Sequence, residues 1–391
     1  MQAIIVGGGI AGPATAMALH SVGIESVILE RSSADRAAGS WFTIAPNGLA
    51  ALDALDALDP VRALGVPTSR NIMLGATGRE LGRLSLGRPL DDGTPALSFR
   101  RPDLSAALMG EARSRGIDVR YTASVRGAET SDAGASVTLA DGSRIEADIV
   151  IGADGIRSVV RSAIDPDGPH GRYVGLLNFG GIAPGAAASA GFEPEAWTFV
   201  FGRKAFFGAL PTPQGDVVWF VNEPHAVISP AERAATSDDQ WRVHLAELAR
   251  DDAGPFAALI SSSTVELAAD PTHDLPRVRK WHRGNLAIIG DALHAPSPSS
   301  GQGASMALED AVVLASCLRD GRGTPTDRFA AFESARRKRV ERIVADGARS
   351  SSSKTAGPVA RVFQDAMLRW VFRHLVTEKS TAATYDYRVA L

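Results

Sequence analysis

Apolar residues change their spacing twice within the first thirty positions. Residues 3–6 (AIIV) form a short continuous apolar run that stops at glycine. Ala14, Met17, Ala18 and Val22 then recur at helical spacing, and Val27, Ile28 and Leu29 form a second short run. Two buried strands joined by a helix make the minimal parallel unit. Further on, Ala50–Leu64 has the pattern of an amphipathic helix, and Asp103–Arg115 predicts another, with Leu104, Ala107, Leu108 and Ala112 on one stripe. Ile117–Tyr121 resumes a strand. Asp141-Gly142, between Ser136–Leu139 and Arg144–Ile145, predicts a hairpin. Ile149–Ile151 predicts a buried strand ending in glycine, followed by a helix over Arg157–Ala163.

The texture changes from Tyr173 onward. Helical periodicity fades while aromatic and turn residues increase. Trp197–Phe201, Ala205–Leu210 and Val217–Val221 predict successive strands, with turns at Arg203-Lys204 and Pro213–Asp216. This is an antiparallel sheet set between parts of a parallel one. Leu286–Ile289 returns to the buried parallel-strand pattern, and Ala304–Leu318 carries a continuous apolar face at helical spacing. Glu333–Arg349 predicts a basic helix, Ser350–Ser353 a polar link, and a final helix contains Trp370 and Phe372. The fold class that follows is α/β: a Rossmann-type parallel-sheet domain, an interleaved antiparallel sheet and C-terminal helices.

Composition narrows the classes. The 391 residues are 45% hydrophobic and 22% charged, an ordinary globular balance with length for two or three structural units. A net charge of -3 gives no reason to expect nucleic acid or a membrane surface as partner. The run Arg336, Arg337, Lys338, Arg339 and Arg342 is interspersed with Glu333 and Glu341, and reads as a solvated helix face. The single cysteine, Cys317, sits in an apolar helical pattern and reads as a buried inert thiol. With no CxxC, neither a redox pair nor a metal site is expected. The first strand begins by Ala3, which leaves no room for a signal peptide, and no apolar run approaches the ~18 residues of a membrane span. A cytoplasmic protein, monomer or homodimer, is the expectation.

Three stretches carry chemistry. Gly7-x-Gly9-x-x-Gly12 follows a strand and opens a helix, and Glu30 ends the next strand. In such a loop the first glycine permits the tight turn, the second lets the backbone approach a diphosphate, and the third lets helix pack on strand. The helix N-terminus offers free N–H groups to phosphates, and the acid accepts from ribose hydroxyls. At this point a nicotinamide and a flavin dinucleotide are indistinguishable. Gly152-Ala153-Asp154-Gly155 follows a second buried strand, where Asp154 is either a cofactor contact or a helix cap. Gly290-Asp291 repeats the design, and Gly301, Gln302 and Gly303 then place backbone N–H groups at the start of a long helix.

The order GxGxxG…E, GADGxxSxxR, GDAxHxxxPxxGxGxxxxxEDA resembles the flavin-dependent aromatic hydroxylases of the para-hydroxybenzoate hydroxylase type, over roughly residues 1–345. The short C-terminus is more similar to the salicylate-hydroxylase branch. The resemblance implies FAD as cofactor and NADPH or NADH as co-substrate. It implies cofactor contacts at Gly7, Gly9, Ile10, Ala11, Gly12, Glu30, Arg31, Arg101 (with Arg100 adjacent), Val125, Asp154, Asp291, Pro298, Gly301, Gln302, Gly303 and Ala304. No protein group is assigned as catalytic; Pro298 and Gly301 are expected near the ring, and His294 is expected to be structural. Trp41, Thr43, Phe201, Phe207 and Trp219 are the substrate candidates, with Phe42 and Phe199 beside them. Leu293, Ser299, Ser300 and Ser305 depart from the family pattern and put the substrate pocket in question.

The implied division is 1–70, 101–172 and 281–345 for the FAD-binding domain, 71–100 and 173–280 for the substrate domain, and 346–391 for a helical tail. The implied reaction is hydroxylation of an aromatic or polyketide-like molecule by O2 through a flavin C4a-hydroperoxide. Same-fold alternatives are an epoxidase, a Baeyer–Villiger oxygenase or an alkene reductase. A non-enzymatic flavin sensor is a further reading, but it leaves the Pro296–Gly303 loop without a purpose.

Overall fold

The computed structural model describes residues 1–34, 39–296, 300–351, 367–372 and 378–391. Its organising element is a six-stranded sheet in the order 282–283, Leu286–Ile288, Ile149–Gly152, Gln2–Val6, Glu25–Leu29, Asp118–Arg120. All neighbours are parallel except the first pair. Its four inner strands come from the four predicted apolar runs. Ala3–Val6, Ile149–Gly152 and Leu286–Ile288 are buried on both faces, which is why those runs are continuous rather than alternating. Helices Ala11–Ser21 and Gly303–Asp320 pack on one another over this sheet and share its core with Ile5, Ile28, Val150 and Ile288.

A seven-stranded sheet forms the second layer, in the order Thr264–Asp274, Arg172–Ala183, Val217–Pro224, Phe206–Pro211, Ala196–Phe201, Arg70–Gly75, Glu80–Ser85. Ala196–Phe201 and Arg70–Gly75 run parallel and the other pairs antiparallel. Helices Asp238–Ala249 and Phe256–Ser261 cover one face, burying Leu245, Ala249, Phe256 and Ile260 against Phe179, Phe207, Trp219 and Val221. This is the back face. The front face turns toward a small sheet of Trp41–Ile44, Leu97–Arg100 and Val66-Pro67. That small sheet leads directly into helix Arg101–Ser114 and so into the parallel layer.

Several element boundaries differ from the sequence expectation. The ALDALDALD helix breaks, giving Pro46–Asp53 and Asp59–Arg62. Asp56 adopts a left-handed conformation (φ 51°), and the Ala57 N–H bonds back to the Leu52 carbonyl at 2.9 Å. This is the geometry that ends helices. The basic helix starts earlier, at Pro325, and runs through Ser351, so the first two residues of the expected Ser350–Ser353 link are helical, while Ser352 and Ser353 lie outside the described residues. Trp370 and Phe372 are helical as expected. The helices on the back face escaped the periodicity reading. The start of Asp238–Ala249 is nevertheless written in Ser237-x-x-Gln240, and that of the short preceding helix Pro230–Ala235 in Ser229-x-x-Glu232, both of which form complete capping boxes. No helix among the described residues is long and apolar enough to cross a membrane.

Candidate active site

The three glycine-rich stretches meet at the C-terminal ends of three adjacent parallel strands. Gly7 has φ +109°, and a Cβ there would collide with the Ala153 carbonyl. The Ala153 N–H bonds to the Val6 carbonyl at 2.8 Å, joining the first motif to the second. A Cβ on Gly12 would collide with the Gly7 carbonyl oxygen, so helix and strand touch there backbone to backbone. Gly290 has φ +57°, and a Cβ on it would lie 2.9 Å from that of Ala11, joining the third motif to the first. Gly9 differs: a Cβ there would meet nothing within 4 Å. Its space faces outward, where a ligand backbone fits.

Around this junction lie groups suited to a dinucleotide. Helix Ala11–Ser21 begins at Ile10 with no side-chain cap, and helix Gly303–Asp320 begins at Gln302 likewise uncapped. Two helix N-termini thus converge with free donors and positive dipole ends. The Glu30 carboxylate accepts from the Gly8 N–H at 2.7 Å and the Ser32 N–H at 2.8 Å, which fixes it beside the first loop with lone pairs to spare. Arg31 beside it is exposed. Ser105 donates to the Gly8 carbonyl at 3.0 Å, tying helix Arg101–Ser114 to the same loop. Val125 is buried in the neighbouring core.

Across the junction, the Arg101 guanidinium stands 3.8 Å from the Asp291 carboxylate and 6.0 Å from the centre of the Phe42 ring. Both charged groups remain substantially exposed. The adjacent Arg100 points elsewhere, pairing with Glu266 and Asp103 at 3.2 Å each. Gly301 has φ +59° with open space at its Cβ position. Gln302 is buried, with its Nε2 unpartnered beside Asn47, whose Oδ1 is also unpartnered. Ala304 is half-buried against the core. Pro298 and Ser299 lie outside the described residues. Uncapped helix ends for a diphosphate, carboxylates for ribose and ribitol hydroxyls, and unpaired amides at the ring loop together fit FAD.

Asp154 supports the start of helix Val159–Ile164, whose N-cap is Ser158, its hydroxyl accepting from the Arg161 N–H at 2.9 Å. Asp154 accepts from the Ser158 hydroxyl at 2.5 Å and the Val159 N–H at 2.7 Å, while burial pushes its carboxyl above the usual range. Arg161, at the end of the same motif, was assigned nothing from sequence. It is buried and donates to the carbonyls of Ala292, Ile156 and Pro169 at 2.9, 2.6 and 3.1 Å. It therefore locks the second motif to the third, and its recurrence within GADGxxSxxR was the available signal.

His294 is structural. Its Nε2 lies 2.6 Å from Asp310, inside a fully buried ionic cluster. Asp310 also receives Arg336 at 2.8 Å. Glu309 receives Arg336 at 2.6 Å, Arg339 at 2.6 and 2.8 Å, and the Asn47 amide at 2.6 Å. Burial opposes the charge on His294, but the Asp310 carboxylate against it raises its pKa overall. Two members of the basic run are thus buried ion-pair partners rather than a solvated face. Arg339 also holds the carbonyls of Ala383 and Thr384 at 2.7 and 2.8 Å. Cys317 is half-buried, and burial raises its thiol pKa.

The substrate candidates divide between the two faces of the seven-stranded sheet. Phe207 and Trp219 are fully buried in the back-face core against helices, so neither lines the site. Phe201 lies on the front face, its ring 5.1 Å from that of Phe206. Trp41 packs on the front face with Phe199 and Phe220. Thr43 is occupied in a hydroxyl network, 2.8 Å from Ser98 and accepting from the Trp197 indole N–H at 3.1 Å. The front-face aromatics missed are Trp197, Phe206 and Phe220. Of the departures from the family pattern, Leu293 and Ser305 are buried core positions, Ser305 accepting from the Ala45 N–H at 3.2 Å. Ser300 is half-buried and accepts from the Gln302 N–H at 3.2 Å, and Ser299 lies outside the described residues.

Comparison with known proteins agrees with this geometry. The family model described as "FAD binding domain" matches residues 1–348. The FAD-dependent urate hydroxylase of Mycolicibacterium vanbaalenii is 29% identical over 356 residues, covering 88% of this chain and 86% of the relative. The 2-heptyl-3-hydroxy-4(1H)-quinolone synthase of Pseudomonas aeruginosa is 31% identical over 350 residues, covering 88% and 87%. The crystal structure of Klebsiella pneumoniae HpxO complexed with FAD and uric acid superposes with a TM-score of 0.82 at 24% identity, covering 98% of this chain and 97% of that one. The chain belongs to the FAD binding domain family, among the FAD-dependent hydroxylases and monooxygenases of aromatic compounds.

Proposed function

We propose that this chain is an FAD-dependent monooxygenase that uses NADPH or NADH and O2 to hydroxylate a small aromatic molecule. The observation that carries the reading is the meeting of three cofactor-type loops beside Arg101 and Asp291, next to an aromatic sheet face. Gly7, Gly9, Ile10, Ala11 and Gly12 would hold the diphosphate, and Glu30, Arg31 and Val125 the adenosine end. Arg101 and Asp291 would hold the middle of FAD. Pro298, Gly301, Gln302, Gly303 and Ala304 would follow the ring. Bound FAD supplies the redox chemistry, passing reducing equivalents from the nicotinamide to O2.

The protein's own work is positioning and exclusion of water. The uncapped N-terminus of Gly303–Asp320 favours negative charge beside it. The aromatic front face keeps solvent from a reactive oxygen species. No side chain is asked to act as nucleophile, and His294 is held by Asp310 away from any such role. The experiment is direct. The purified protein should retain or rebind FAD, and an aromatic substrate should stimulate NAD(P)H oxidation with one atom of labelled O2 in the product. A protein that cannot be reconstituted with FAD refutes the reading. A product without label points to a reductase.

A further inference from the structure

We propose that the substrate is an uncharged planar aromatic or heteroaromatic compound, and that the front face of the seven-stranded sheet discriminates against ring carboxylates and other anions. The inference rests on the monooxygenase reading above and names its substrate class. Strand alternation brings Trp197, Phe199, Phe201, Phe206 and Phe220 to one face, with Trp41 packed beside them. Their ring centres lie 5.1–6.0 Å apart, both stacked and tilted. A Cβ on Gly208 would collide with the Phe220 ring, so the missing side chain there lets Phe220 lie over the strand. Trp197 and Phe206 are buried, whereas Phe199, Phe201, Phe220 and Trp41 keep partial exposure. The surface is therefore built and still open.

This face is continuous with the cofactor residues. Trp41 is cross-strand from Arg100, and the next residue of its strand, Phe42, lies under Arg101, which faces Asp291. The charge at the border is already matched: Arg100 is held by Glu266 and Asp103. The polar atoms there without a hydrogen-bond partner, the Trp41 Nε1 and the Asn71 Oδ1, are a neutral donor and a neutral acceptor. Asn71 is cross-strand from Trp197 and so shares the face. A ring stacked here gains aromatic contact. A carboxylate would lose its hydration against negative ring faces, where the bordering cations among the described residues, Arg100 and Arg101, already face Glu266, Asp103 and Asp291.

The test uses the FAD-loaded enzyme and matched pairs of compounds: 2-naphthol against 6-hydroxy-2-naphthoate, a heptyl-substituted 4-quinolone against the corresponding quinolone carboxylate, and urate as a further anion. Two readouts are taken, kcat/KM from substrate-stimulated NAD(P)H oxidation and Kd from quenching of tryptophan fluorescence. At least one neutral member should bind and stimulate, and should exceed its carboxylate by ~100-fold or more in both readouts. Phe199→Arg, which puts a cation in the middle of the face, should narrow that ratio by about tenfold. If the variant does not fold, the wild-type panel decides. A carboxylate or urate that equals or exceeds the neutral compounds overturns the proposal, as does a neutral set silent in both readouts. Failure to bind FAD, or absence of O2-dependent NAD(P)H oxidation under all conditions, refutes the monooxygenase reading instead.

Discussion

Replacing Glu309 with alanine should destabilise the protein more than any exposed charge deletion, because of what the carboxylate leaves behind. Glu309 is fully buried and accepts four hydrogen bonds of 2.6–2.8 Å, three from arginines and one from Asn47. Two carboxylates, Glu309 and Asp310, face two guanidiniums and, when it is protonated, the His294 imidazolium, so the cluster has no carboxylate to spare. Glu309→Ala leaves one buried positive charge unmatched: Arg336 keeps Asp310, and Arg339 keeps only two carbonyls and the Tyr387 ring, 4.0 Å away. Removing one partner of a buried ion pair costs about 3–5 kcal/mol, out of a total stability of about 5–15 kcal/mol.

The assay is urea unfolding of the FAD-loaded protein followed by tryptophan fluorescence. The double variant Glu309→Ala/Arg339→Ala sharpens it. If the cost is an orphaned charge, the double variant should be less destabilised than the sum of the singles by about 1–3 kcal/mol. Arg83→Ala, at the exposed Glu80–Arg83–Glu193 cluster, serves as control and should change nothing measurable. A Glu309→Ala loss under about 1 kcal/mol, or strict additivity in the double variant, would refute the reasoning.

Three further outcomes follow. Gly12→Ala forces a Cβ into the Gly7 carbonyl, so the chain should fold with the first loop displaced and lose FAD, read as absorbance at the flavin bands after desalting. Phe207→Ala should cost about 3–5 kcal/mol in unfolding, as core truncations do, with little change in KM, whereas Phe199→Ala should raise KM with a smaller stability loss; the reverse pattern would mean the two sheet faces are misassigned. His294 has its pKa raised above 6.5 by Asp310, so its stabilisation is complete below that ordinary value and is lost as pH rises through the raised one. Comparing wild type with His294→Gln across that range by thermal melts, the advantage of the wild type should shrink toward alkaline pH.

The parts of the site legible in sequence were those fixed by backbone. Gly7, Gly12 and Gly290 are required by close approach or positive φ, and such demands leave a mark at the position itself. What local pattern could not supply was direction. Alternation on Phe206–Pro211 and Val217–Pro224 says that Phe207 and Trp219 share a face, but both faces of this sheet are apolar. Period alone therefore cannot say which face meets the cofactor layer. The ionic cluster was hidden for a different reason. Arg336 and Arg339 look like solvent-facing members of a basic run, and their partners Glu309 and Asp310 lie 26–30 positions earlier on another helix. Arg100 and Arg101 are adjacent in sequence, yet the start of a helix between strand and loop sends them to different layers.

The strand order of the parallel sheet bears on how this chain is made. Ile149–Gly152 is flanked on one side by Gln2–Val6 and on the other by Leu286–Ile288, which emerges from the ribosome more than a hundred residues later. Until then the apolar edge of Ile149–Gly152 is open, and an open edge is a template for the wrong partner. At about 5–20 residues per second, that exposure lasts for several seconds to tens of seconds during synthesis. The seven-stranded sheet, five of whose strands are made in that interval, is finished before the sheet that began first. Yield in a recombinant host should therefore depend more on chaperone supply and translation rate across residues 153–285 than on the stability of the finished fold.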